Sequence, residues 1–210
     1  MIRIAIADDH SLIRRGLGKL IEREVDMELV AEYQNGHDLL KQFDGHYCDV
    51  LILDLSFPDR NGLDVLDRIL TLWPKVRVLI LTMHPEDRYA LRSLKAGAYG
   101  YINKASESDE LIKSIRKIYK GGRYFSDSVA ERLAIDYLDE SRKNPHEKLT
   151  GREFQIFMMI GQGMSIQQIS ELLSLSKHTI YTFRRRIFEK MGLQSNAQLI
   201  RYAMENKLID

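Results

Sequence analysis

Residues 50–82 read VLILDLSFPDRNGLDVLDRILTLWPKVRVLILT. The stretch opens on an apolar run ending in an acid, Val50–Asp54, and closes on a second run, Val76–Thr82. Between them Gly62–Leu72 has the period of a helix and stops at Trp73-Pro74, because the residue before a proline is driven out of helical geometry. Strand, helix, strand is one βαβ unit. Strands that are apolar throughout, rather than alternating, are buried on both faces, which predicts a parallel sheet covered by helices.

The same alternation extends in both directions. Upstream, Ile2–Ala7 reads as a strand, and Ser11 as the cap of a helix with Leu12, Ile13, Leu17, Leu20 and Ile21 on one side. Leu29–Tyr33 is a strand and His37–Phe43 a helix. Downstream, Glu86–Lys95 is a helix stopped by Gly97, Tyr99–Asn103 a fifth strand, and Asp109–Tyr119 a helix before Gly121-Gly122. The expectation is an α/β fold, a (βα)5 doubly wound parallel sheet over residues 1–122.

Residues 123–147 read as an amphipathic helix and linker. Val129, Leu133 and Tyr137 lie near helical spacing, and polar Glu140–Glu147 with its proline reads as a flexible tether. From 148 to 210 no strand signal remains. Capping boxes at Thr150/Glu153, Ser165/Gln168 and Ser195/Gln198, with Ser176 as a further cap and Gly192 as a terminator, predict helices at about 151–161, 166–173, 177–191 and 196–206. This is a second, smaller all-α domain.

Of the 210 residues, 44% are hydrophobic and 29% charged, which excludes a disordered or collagen-like chain. The single cysteine, Cys48, excludes an intrachain disulfide and a cysteine zinc cage. Phe154–Ser170, the longest uncharged stretch, is interrupted by glycines and glutamines and is short of bilayer length. With Asp8 and Asp9 ending the first apolar run, no signal peptide is expected either. The expectation is a cytoplasmic protein with no membrane partner. Charge is balanced over residues 1–125, whereas residues 149–210 hold eight basic and five acidic side chains. Any nucleic-acid contact is therefore sought in the last third.

In an open parallel sheet, ligands bind beyond the carboxyl ends of the strands. Those ends carry Asp8 and Asp9, Asp54, Thr82, and Asn103-Lys104. Carboxylates from adjacent strands repel unless compensated, and a hard divalent cation compensates them. All-oxygen ligation with no histidine or cysteine nearby suits Mg²⁺. Asp54 is then a carboxylate nucleophile capable of forming an aspartyl phosphate, with Lys104 and the Thr82 hydroxyl holding phosphoryl oxygens. Taken singly, each of these residues is more often a cap, a turn residue or a surface charge. Their convergence on one edge favours the chemical reading.

On Ala7-Asp8-Asp9-His10, Leu53-Asp54-Leu-Ser-Phe-Pro58 with Gly62, Leu81-Thr82 and Gly100-Tyr101-Ile-Asn-Lys104, residues 1–122 resemble a two-component receiver domain. The resemblance implies that Asp54 takes phosphate from a histidine kinase. It further implies that Asp9, Asp54 and the Ser56 carbonyl ligate Mg²⁺, that Asp8 acts through water, and that Thr82 and Tyr101 form a switch pair in which Tyr101 turns inward. Three positions depart from the pattern. Ala105 stands where proline is frequent, leaving the Lys104–Ala105 bond cis or trans; Met83 stands where small residues are common; Phe57 replaces a frequent methionine.

The helix at 177–191 has Ile180, Phe183, Ile187 and Met191 as its apolar stripe. The opposite face presents His178, Tyr181, Thr182, Arg185 and Glu189, flanked by Lys177 and Arg184 on one side and Thr179, Arg186 and Lys190 on the other. A basic helix alone is more often a solvated face. Here a preceding helix and a tight Ser-Leu-Ser turn make a helix-turn-helix, whose second helix enters the major groove. Arg185 then suits guanine and Thr182 a thymine methyl, while Lys177, Thr179, Arg186 and Lys190 suit phosphates.

On Leu149-Thr-Gly-Arg-Glu153, Gly163-Met-Ser-Ile-Gln-Gln-Ile169, Leu175-Ser-Lys-His-Thr-Ile180 and Lys190-Met-Gly-Leu193, residues 149–210 resemble the LuxR-type helix-turn-helix of NarL/FixJ response regulators. Tyr181 and Phe183 replace the usual lysine and histidine, so base preferences do not transfer. The resemblance also implies a homodimer on DNA, with Ala197, Ile200 and Met204 in the contact. The expected function is a phosphorylation-switched transcription regulator rather than an enzyme. A constitutive DNA binder with a non-switching receiver is the alternative, and an aspartyl-phosphate enzyme a more distant one.

Overall fold

A computed structural model describes residues 1–131 and 144–209, apart from the side chains of Asp87 and Arg88. The chain divides into two compact units, Met1–Asp139 and Glu140–Asp210.

The first unit alternates β1 (Ile2–Ala7), α1 (Ser11–Glu22), β2 (Met27–Tyr33), α2 (Gly36–Gln42), β3 (Val50–Leu53), α3 (Gly62–Leu72), β4 (Arg77–Thr82), α4 (Glu86–Lys95), β5 (Gly100–Asn103) and α5 (Ser108–Tyr119). All strand pairs are parallel, in the order β2-β1-β3-β4-β5. Every residue of β3 is buried, as are five of the six in β4, as an apolar run flanked by helices requires. Register pairs Ala7 with Leu53 and Thr82 with Asn103, so the residues just beyond these ends emerge side by side.

Two local expectations are corrected. Ser11 is not the cap of α1: His10 holds that position, with no side-chain cap bond. Leu12 is 80% exposed, because one helical step of about 100° carries it off the stripe of Ile13, Leu17, Leu20 and Ile21. The turn entering α3 is tightly constrained. A Cβ on Gly62 would stand 2.3 Å from the Leu55 backbone, so only glycine lets the loop after Asp54 close.

The second unit contains α6 (Gly151–Gly161), α7 (Ile166–Leu172), α8 (Lys177–Met191) and α9 (Asn196–Glu205). Full capping boxes form at Thr150/Glu153 and Ser165/Gln168. At Ser195 only half forms, because the Gln198 side chain accepts from the Gln194 amide instead. Ser176 caps α8 and left-handed Gly192 ends it. Val129 is buried, whereas Leu133 and Tyr137 of the expected linker helix lie outside the described residues. Of the expected tether, residues 140–143 lie outside the described residues, while Pro145–Lys148 forms a 3-10 turn with the His146 ring 2.8 Å from the Tyr202 hydroxyl. No helix among the described residues is long and apolar enough to cross a membrane.

Candidate functional site

At the carboxyl edge of the sheet, β1 delivers Asp8 and Asp9, β3 delivers Asp54, β4 ends in Thr82 and β5 leads into Lys104. Asp8 and Asp54 are 2% and 1% exposed. The Lys104 ammonium lies between them, 2.6 Å from Asp8 Oδ2 and 2.5 Å from Asp54 Oδ2. Burial alone would lower the Lys104 pKa, but its hydrogen bonds to Asp54 and Asp8 outweigh that and hold it above the ordinary lysine value. The Ser56 amide donates to Asp54 Oδ1 at 3.2 Å, and the Lys104 amide donates to the Thr82 carbonyl at 2.9 Å. The Lys104–Ala105 bond is trans.

Asp8, Asp9, His10 and Asp54 each bring one ligand atom within 4.8 Å of the others. The expectation of no nearby histidine is therefore corrected. The His10 amide donates to Asp8 Oδ1 at 2.8 Å, and its ring Nδ1 lies 2.8 Å from Asp9 Oδ1. Its adjacency to Asp9 in sequence was the available signal, though which way the ring turns is a tertiary matter. Asp9 Oδ1 is buried, and although the His10 ring nitrogen is near it, the pair lacks hydrogen-bond geometry. Three carboxylates converging here, one with a buried oxygen that makes no well-formed hydrogen bond, fit a hard divalent cation.

The expected switch pair, Thr82 and Tyr101, converges on His84, which sequence reasoning missed. The Tyr101 hydroxyl donates to the His84 carbonyl at 2.9 Å, the His84 amide lies 3.5 Å from Thr82 Oγ1, and the His84 ring contacts Ser56 Oγ at 3.2 Å. The ring also stacks on Tyr89, centroids 4.2 Å apart. Burial holds its pKa below the usual histidine value, with Asp54 opposing and Lys104 adding to the shift. Tyr101 was expected to turn inward on phosphorylation; in this structure it is already inward, 3% exposed. Of the departures from the resembled pattern, Met83 points to solvent and Phe57 packs inside.

In the second unit, α7 and α8 are joined through Ser174, whose left-handed φ of 50° makes the turn, and the Ser170 hydroxyl donates to the Leu175 carbonyl. Ile180 and Ile187 face inward, while Lys177, His178, Tyr181, Arg185 and Arg186 are exposed and Thr179 and Thr182 half-buried. The Thr182 hydroxyl donates to the His178 carbonyl, and Arg185 lies 3.7 Å from Glu189. Arg184 lies over the Phe188 ring and donates to Asn196 Oδ1, so it belongs to the packing. Ala197 and Met204 of α9 are exposed and Ile200 half-buried.

Lys190, expected among the phosphate-facing residues, is exposed but engaged in an ion pair within the unit. It donates to Glu153 Oε2 at 2.6 Å, and that carboxylate, 4% exposed, also accepts from the Thr150 amide. Burial raises the Glu153 pKa, but the Lys190 bond and the Thr150 amide together hold it below the usual glutamate value. A carboxyl depressed in the folded state stabilises it above the unfolded pKa, and that contribution is lost as pH falls through the folded one. Lys190→Ala is expected to destabilise this unit by about 1–2 kcal/mol in denaturant titration, below a fully buried pair because the lysine is partly solvated. The loss should shrink in acid as Glu153 protonates. An unchanged midpoint at neutral pH would show that the ion pair adds nothing to the stability of the unit.

Comparison with known proteins places these units. Residues 4–116 match the response regulator receiver domain, and residues 147–203 match the bacterial regulatory proteins of the luxR family. The chain is 32% identical over 211 residues to response regulator GacA of Pseudomonas aeruginosa, covering 100% of this chain and 99% of that protein. It is 32% identical over 209 residues to response regulator UvrY of Escherichia coli K12, covering 99% and 96%. RcsB of Salmonella enterica serovar Typhimurium, solved bound to a promoter in the presence of a phosphomimetic, shares the fold with a TM-score of 0.63 at 24% identity, over 96% of this chain and 97% of that one.

Proposed function

Since this chain belongs to the response regulators of the NarL/FixJ type, with a receiver domain followed by a LuxR-type helix-turn-helix DNA-binding domain, we propose that Asp54 is its phosphoacceptor and that phosphorylation governs its grip on DNA. The family sets aside the aspartyl-phosphate enzyme. The observation that carries the proposal is the Lys104 ammonium held between Asp8 and Asp54, with the Asp9 carboxylate converging beside them.

A histidine kinase supplies the phosphoryl group in this reading. Asp9, Asp54 and the Ser56 carbonyl would hold Mg²⁺, with Asp8 acting through water, and the bound ion would neutralise charge on the phosphoryl oxygens. Asp54 attacks phosphorus through a carboxylate oxygen, and the kinase histidine leaves. Lys104 holds a second phosphoryl oxygen as a point charge, and the Thr82 hydroxyl donates to a third. In turning to do so, Thr82 shifts the His84 amide beside it and with it the carbonyl that holds Tyr101. Moving a population from 1:99 to 99:1 requires about 5.5 kcal/mol of differential binding, which phosphate, metal and dimerisation supply together.

Residues 1–122 are then the receiver, 123–147 the connection and 148–210 the DNA-binding domain of a cytoplasmic regulator. Lys177, Thr179 and Arg186 contact phosphates, and His178, Tyr181, Thr182 and Arg185 face base edges. Two chains bind half-sites about one helical turn apart, meeting through α9.

The test is affinity for a duplex selected from a random library. Beryllofluoride with Mg²⁺ should raise it at least tenfold for the native chain and leave Asp54→Ala unmoved. Equal affinity with and without the mimic would favour a constitutive binder. In the same titration Arg185→Ala should relax preference at one base pair by about 1–3 kcal/mol, whereas Arg186→Ala should weaken all sequences alike and flatten the salt dependence.

A further inference from the structure

β5 is the outer strand of the sheet, and an uncovered outer strand presents unpaired backbone groups. Here the chain covers it with its own continuation. Beyond α5 the backbone returns to run parallel to β5, bridging Gly100 and Tyr124. The Tyr101 amide donates to the Tyr124 carbonyl at 2.9 Å, and the Tyr124 amide donates to the Tyr99 carbonyl at 2.9 Å. Glycine at 100 permits this approach, because a Cβ there would stand 2.8 Å from the Tyr124 carbonyl oxygen.

Side chains fasten the same segment. The Tyr124 hydroxyl donates to Glu110 at 3.2 Å on α5, and the Lys117 ammonium lies 5.6 Å from the centre of its ring. Arg123 donates to the Ala98 carbonyl and lies over the Tyr99 ring. The Ser126 amide donates to Glu86 Oε1 at 3.2 Å, on the first residue of α4. Residues 127–131 are helical, and Val129 within them is buried.

Two of these anchors belong to the switch. One is the backbone of Tyr101 itself. The other, Glu86, follows by two residues His84, whose carbonyl receives the Tyr101 hydroxyl. We propose that residues 123–131 are a relay strap: zipped to β5 and pinned to the start of α4, they transmit the state of the Asp54 site to the connection leading to the DNA-binding domain. The relay rests on the phosphoacceptor reading of Asp54. A displacement of the loop through His84 changes the spacing between Tyr101 and Glu86, and a strap fitted to both anchors cannot keep both. Modification at Asp54 therefore loosens it. Because coupling between two sites is reciprocal, loosening the strap must tighten binding at Asp54 by the same factor.

The test uses the full chain, with beryllofluoride and Mg²⁺ as the probe. Hydrogen exchange of the peptide spanning residues 123–131 should accelerate at least fivefold when the probe binds, alongside the peptide spanning 82–86. Glu86→Ala and Tyr124→Phe, each outside the phosphoryl site, should accelerate strap exchange without the probe. Each should also raise probe affinity, read by fluorine NMR of the bound mimic, about threefold or more. A bound fluorine signal with strap exchange unchanged overturns the relay alone, as does unaltered probe affinity in both variants. Absence of any bound signal on the native chain, with none gained in the variants, overturns the phosphoacceptor reading and the relay with it.

Discussion

Asp54→Ala is expected to abolish phosphoryl incorporation completely, measured with radiolabelled acetyl phosphate and Mg²⁺. Asp54 is 1% exposed, and its two oxygens already have defined roles, one accepting from the Ser56 amide and the other from Lys104. A carboxylate held this way is not replaced by a neighbour. Asp8 points its Oδ2 at the same ammonium, and Asp9 comes from the adjacent position of the same loop, so neither occupies the end of β3. Fold stability should change little, because Lys104 retains Asp8 as a partner. Label appearing on the variant at the native rate would place the acceptor elsewhere.

Lys104→Ala is expected to separate metal binding from transfer. Without the ammonium, Asp8 and Asp54 face each other while buried, and breaking a buried pair in this way costs about 3–5 kcal/mol in metal-free buffer. Mg²⁺ should restore part of that loss, since a ligand bound only by the folded state stabilises it in proportion to its affinity. Affinity for Mg²⁺ should itself rise roughly tenfold, because a competing positive charge has gone from the carboxylates it would share. Phosphoryl incorporation should nonetheless fall at least about a hundredfold with the loss of a charge aimed at the transferring oxygens. Calorimetric titration with Mg²⁺ and denaturation with and without it read the first two effects. Weaker metal binding in the variant would show that Lys104 organises the carboxylates rather than competes for them.

The strand-end carboxylates were legible because register is a property of the apolar runs. Once β1 and β3 are buried parallel neighbours, the residue after each must emerge on the same edge, and Asp8 and Asp54 follow. His10 and His84 were not legible in that way. His10 acts through the direction its ring takes, and His84 through a carbonyl, an amide and a ring that meet three different segments. Lys190 lay on the expected flank of its helix, but a wheel carries no information about the buried acid on α6 that claims it.

Periodicity, proline and glycine punctuation and capping pairs determined, without coordinates, the α/β order, the helical second unit and the residue types at the sheet edge, because these depend on near neighbours in the chain. Only the tertiary structure decided that Tyr101 lies inward on His84, that Lys190 serves Glu153, and that residues 123–131 cover the outer strand. Each of those is a choice among partners that local sequence leaves equal, settled by which buried polar group would otherwise lack a hydrogen bond.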